Sequence, residues 1–123
     1  MRRKKALGQH FLHDPSVLRG ICDALEVAPD EQIIEIGPGT GRLTRKLAER
    51  FGAERVVCVE RDPDMIAHLA EKLPDVRVEF GDATRYPFDE LVNGPAVVCG
   101  NLPYNVSTGI YFHLLLEHHQ LFR

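Results

Sequence analysis

No two cysteines in the sequence stand at C-x-x-C spacing, no histidines stand at ligand spacing, and no apolar run is long enough to span a bilayer. Cys22, Cys58 and Cys99 lie far apart, so neither a zinc site nor a disulfide framework is indicated and no metal is expected. The first residues, Met1-Arg2-Arg3-Lys4-Lys5, have no apolar core behind their charges, so they do not form a secretory signal. The chain is therefore expected to be cytoplasmic, with no membrane partner. Internal repeats, low-complexity tracts and linkers are also missing, and 123 residues fit one domain near the lower size limit of an open α/β sheet.

What is present is an ordinary globular composition, 44% hydrophobic and 27% charged. The net charge of -3 does not advertise nucleic-acid binding, yet the basic arm could find phosphates locally or simply be a solvated start.

The organising stretch is Gln32-Ile33-Ile34-Glu35-Ile36-Gly37-Pro38-Gly39-Thr40-Gly41, followed by helical spacing at Leu43, Leu47, Ala48 and Phe51. It reads as strand, tight turn and helix. Glycine at positions 37, 39 and 41 lets backbone approach a ligand where a Cβ would intrude. A dinucleotide fingerprint wants one more glycine where Arg42 stands, and a P-loop wants Lys-Ser/Thr, which is absent. The remaining choices are a nucleoside cofactor without phosphates, with S-adenosylmethionine foremost, and a glycine-rich turn with no ligand.

Around it, Pro15 opens a helix with a stripe of Val17, Leu18, Ile21 and Leu25, expected to end near Pro29. Arg55-Val56-Val57-Cys58-Val59-Glu60 reads as a second strand, and Asp62-Pro63 starts a helix with Met65, Ile66, Leu69 and Leu73 at core spacing. Glu60 follows the glycine turn by about 20 residues, the interval at which an acid meets ribose hydroxyls in doubly wound folds. Val76-Arg77-Val78-Glu79-Phe80 is a third strand running into Gly81-Asp82, where Asp82 either accepts from an adenine amine or caps a turn. The pattern from Tyr86 to Val92 is ambiguous. Ala96-Val97-Val98-Cys99 is a fourth strand, and alternating strands and helices predict a parallel sheet with right-handed crossovers.

That strand delivers Asn101-Leu102-Pro103-Tyr104. An adenine amine is a poor nucleophile because its lone pair is delocalised into the ring. An Asn101 side-chain oxygen and the Leu102 carbonyl can accept its protons, Pro103 fixes the turn, and Tyr104 can stack on the base. Alone, such a tetrapeptide is a turn available to any protein.

With Gly8-Gln9-His10-Phe11-Leu12, Val59-Glu60-Arg61-Asp62, Gly81-Asp82 and Asn105-Val106-Ser107-Thr108, these pieces make the chain resemble the ribosomal RNA adenine dimethyltransferases of the KsgA-like family. The resemblance implies a Rossmann-like, S-adenosylmethionine-dependent methyltransferase fold, a parallel sheet with helices on both faces. It assigns cofactor contacts to His10, Leu12, Gly37, Glu60, Asp82 and Asn101, beside Gly39 and Gly41 of the turn, and adenine placement to Asn101, Leu102 and Tyr104. The implied reaction is dimethylation of two adjacent adenines of small-subunit rRNA within the pre-ribosomal subunit. Large-subunit enzymes of the macrolide-resistance type look similar. An assembly module that binds rRNA without methylating it and a nicotinamide dehydrogenase are the rivals from other classes. Against the family's length, residues 1–123 are expected to be the N-terminal part of the methyltransferase domain, truncated after the fourth strand and without the helical C-terminal domain.

Overall fold

Four β-branched runs form four strands, β1 (Gln32–Ile36), β2 (Val56–Glu60), β3 (Arg77–Phe80) and β4 (Ala96–Gly100). The computed structural model describes residues 15–92 and 94–100. The strands lie in the order β3-β2-β1-β4, with every neighbouring pair parallel. The chain winds outward from β1 through β2 to β3, then returns to the far side of β1 for β4. The direction of winding therefore reverses between β1 and β4, the position at which open α/β sheets bind ligands beyond their carboxyl ends.

Alternation along β1 sends successive side chains to opposite faces. Ile33, with Val56 and Cys58 of β2, packs against Leu18 and Cys22 of α1 (Pro15–Ala24) and Leu43 and Leu47 of α2 (Arg42–Phe51). Leu73, which closes α3 (Pro63–Lys72), joins this layer. Ile34 and Ile36, with Val57 and Val59, pack on the other face against Phe88, Leu91 and Val92, which belong to or follow α4 (Phe88–Leu91). Helices thus cover both faces of a parallel sheet, as expected.

Three local expectations need adjustment. α1 stops at Ala24 rather than near Pro29. The residue before a proline is disfavoured in helix, and the following segment has other partners. Glu31 Oε1 accepts the Ala28 amide at 2.8 Å, while the Arg55 guanidinium donates to the carbonyls of Ala28 and Glu31. In α3, Leu69 is buried, while Met65, Ile66 and Leu73 are only half-buried, because that helix covers the end of the sheet, where β3 is the edge strand. The ambiguous stretch before β4 holds a helix of four residues, too short for any periodicity to register.

Candidate functional site

The carboxyl ends of all four strands open on one edge of the sheet, and most of the residues singled out in the sequence follow or end those strands. β1 gives way to Gly37, β2 ends at Glu60, β3 leads to Gly81 and Asp82, and β4 ends at Gly100. Backbone bonds tie these ends together: Gly37 donates to the Val59 carbonyl and Gly81 to the Glu60 carbonyl, each at 3.0 Å. On the other side of β1, Ile36 is in register with Gly100. A Cβ on Gly100 would lie 2.3 Å from the Ile36 carbonyl oxygen, so only glycine permits this approach at the point where the winding reverses.

The three turn glycines share a positive φ, 66° at Gly37, 58° at Gly39 and 87° at Gly41. That conformation strains any residue with a Cβ. Their surroundings differ. Among the described residues, a Cβ on Gly39 would meet nothing within 4 Å, whereas one on Gly41 would lie 2.6 Å from a Leu69 methyl and 3.1 Å from one of Leu73. Gly41 therefore also seats α3 against the start of α2, and Gly39 borders space that no described residue fills.

Glu60 is 8% exposed and faces that turn. Its Oε1 accepts the Gly39 amide at 3.1 Å, and its Oε2 accepts the amides of Arg61 at 2.9 Å and Asp62 at 3.0 Å. A carboxylate has about four lone-pair positions, so one more donor fits without loss, and a second fits by exchange with Gly39. Open space over Gly39, beside a carboxylate with that capacity, fits a ligand carrying hydroxyl donors.

Asp82 forms a turn. Its Oδ1 accepts both the amide of Thr84, at 2.9 Å, and its hydroxyl, at 2.7 Å. The Thr84 hydroxyl and then its amide hold the Asp82 carboxyl below its ordinary range. Oδ2 takes part in neither bond, and the residue is exposed. His10, Leu12, Asn101, Leu102, Pro103 and Tyr104 lie outside the described residues, as does the basic arm.

Sequence reasoning gave no role to Glu35 and Thr44, which bracket the glycine turn. Glu35 is 1% exposed, and its Oε1 accepts the Thr44 hydroxyl at 2.5 Å and the Cys58 thiol at 3.7 Å. Burial is the main force that pushes its carboxyl up to about 7, against the opposing bonds from Thr44 and Cys58. The signal was available: one acid inside the run Ile33-Ile34-Glu35-Ile36 must be satisfied when that strand is buried. The cysteines behave as apolar fillers. Burial raises Cys22 and Cys58 and takes Cys99 to about 12, so none is a ready thiolate. Among the described residues no cluster of three or more His, Cys, Asp or Glu could hold a metal, and no helix is long and apolar enough to cross a membrane.

A parallel sheet that reverses beside a glycine turn, with an acid ending the next strand, is a Rossmann-like arrangement, and here it is that of the methyltransferases. Solved structures share it. The 23S rRNA methyltransferase ErmE superposes with a TM-score of 0.71 at 31% identity, over 89% of this chain and 43% of its own. A dimethyladenosine transferase from Plasmodium falciparum gives 0.66 at 27% identity, over 89% and 38%. The sequence model of the family described as ribosomal RNA adenine dimethylase matches residues 1–122, and the chain belongs to that family. Ribosomal RNA small subunit methyltransferase A of Aromatoleum aromaticum is 45% identical over 92% of this chain, and that of Myxococcus xanthus 46% over 94%. The chain spans 42% and 41% of those two relatives.

Proposed function

We propose that this chain supplies the donor-binding half of an S-adenosylmethionine-dependent rRNA adenine dimethyltransferase, acting on two adjacent adenines of small-subunit rRNA. One observation carries the reading. Ile36 and Gly100 are partners in register, so the glycine turn and the chain that continues as Asn101-Leu102-Pro103-Tyr104 start from neighbouring strand ends.

When bound, S-adenosylmethionine supplies a methyl group on a sulfonium and departs as a neutral thioether, so no acid catalyst is required. Glu60 would accept the ribose hydroxyls, Asp82 Oδ2 the adenine amine of the donor, and the backbone at Gly37 and Gly39 would border its methionine part. His10 and Leu12 would complete that side. Asn101 and the Leu102 carbonyl would accept hydrogen bonds from the target amine's N–H groups, one proton passing to water as the new C–N bond forms, and Tyr104 would stack on the target base, an interaction worth roughly 1–3 kcal/mol by analogy with single-strand binders. Alignment of the two reactants then provides much of the rate. A paired adenine would first have to leave its stack. The setting is the cytoplasmic pre-ribosomal small subunit.

The likeness to ErmE favours a large-subunit target; relatives of 45% and 46% identity bearing the small-subunit name favour the other, which we adopt. Labelled methyl transfer to undermodified small and large subunits, in a version extended to the relatives' length, separates them. Dimethyladenosine in the small subunit is expected. Label only in the large subunit would transfer the assignment, and label in neither would remove it.

A further inference from the structure

Charge is distributed unevenly over the molecule. α1 and α2 carry five basic side chains, Arg19, Arg42, Arg45, Lys46 and Arg50, against the acids Asp23 and Glu49. The remaining described residues carry five basic and fourteen acidic side chains. Two packed helices are thus positive by three in a chain whose net charge is -3.

The packing of α2 turns these cations outward. Leu43, Thr44 and Leu47 are buried, while Arg42, Arg45 and Arg50 are exposed and Lys46 is half-exposed. Between the helices runs a groove of about 320 Å³ lined by Arg19, Cys22, Asp23, Lys46, Glu49 and Arg50. Arg50 pairs with Asp23 at 2.5 Å and Lys46 with Glu49 at 3.7 Å. Arg19, Arg42 and Arg45 have no ion pair among the described residues. The row on α2 starts one residue after Gly41 and extends for about 12 Å at 1.5 Å per residue.

Resting on the functional reading above, we infer that the outer face of α1 and α2 is a docking surface for the phosphate backbone of RNA. Guanidinium groups in a row suit phosphate oxygens. A membrane surface would require an apolar helix face turned outward, and the apolar faces of both helices are buried in the core. An acidic protein partner would require aromatic or aliphatic anchors. The described large hydrophobic side chain that is exposed, Phe80, stands on the edge strand β3 and belongs to neither helix.

The test is fluorescence anisotropy with a labelled 24-nucleotide RNA hairpin, using the 123-residue chain at several KCl concentrations. The triple variant R19Q/R45Q/K46Q is expected to bind at least tenfold more weakly at 100 mM salt, with a log–log salt slope shallower by about 2–3. The control K72Q/R77Q/R85Q, neutralised elsewhere, should stay within threefold of the parent. Equal losses in both variants, unchanged binding in the first, or no binding by the parent would each overturn the inference. Circular dichroism and donor titration run alongside. A variant that keeps its fold and its donor affinity while losing RNA isolates the surface, whereas a parent that binds RNA but no donor defeats the functional reading and spares this one.

Discussion

Glu60 Oε1 accepts the amide of Gly39 at 3.1 Å, so the carboxylate that ends β2 is fastened to the middle of the turn that follows β1. The same side chain is thereby held at the edge where a ribose would be recognised, before any ligand arrives. Removing it should cost donor affinity and loosen the turn together. Glu60→Ala is expected to weaken S-adenosylmethionine binding at least tenfold by calorimetry and to speed hydrogen exchange at the Gly39 amide. Unchanged affinity in a folded variant would take Glu60 out of the site.

Two glycines of the turn should separate structure from binding. Gly41→Ala meets both a φ of 87° and a Leu69 methyl 2.6 Å away, so it should lower stability by roughly 1–3 kcal/mol. Gly39→Ala meets strain alone and should cost less stability, yet its new methyl enters the open space and should weaken donor binding more than Gly41→Ala does. Urea denaturation and donor titration of the pair check both orders. The reverse ranking in affinity would place the ligand elsewhere.

Glu35 gives a pH signature. Its carboxyl lies near 7 in the folded chain against 4.5 ordinarily, so folding favours its protonated form. That contribution is complete below about pH 4.5 and is lost as pH rises to about 7. Glu35→Gln cannot titrate there, so its stability should fall less between pH 5 and pH 8, by roughly 2–3 kcal/mol relative to the parent. Parallel profiles for the two proteins in urea denaturation at both pH values would contradict a buried, desolvated Glu35.

In the version extended to the relatives' length, Asn101→Ala should reduce methyl transfer far more than donor binding. An interaction formed mainly in the transition state is lost from kcat rather than from affinity. Equal losses in both measurements would deny Asn101 that role.

Strands and crossovers were legible because β-branched runs alternating with helical spacing leave few topologies open. Local geometry was legible wherever a residue type is forced by backbone, as in the positive φ at Gly37, or by a fixed interval, as in the strand-end position of Glu60. What was missed depends on contacts distant in sequence. The Glu35–Thr44 bond spans nine residues, and the Arg55 clamp that accompanies the early end of α1 reaches back 27 residues to Ala28. Gly100 ends a strand in sequence, but its necessity appears only once β4 is seen to lie against Ile36.

The direct test of a cleft shared by the glycine turn and the Asn101 corner is the affinity of this chain for a bisubstrate compound. In it, a one-carbon bridge joins the donor's sulfur position to the exocyclic nitrogen of adenine. It is expected to bind at least tenfold tighter than S-adenosylmethionine, with the gain abolished by Asn101→Ala and donor affinity reduced far less. A bridged compound that binds no better than the donor alone, in parent and variant alike, would contradict the shared cleft.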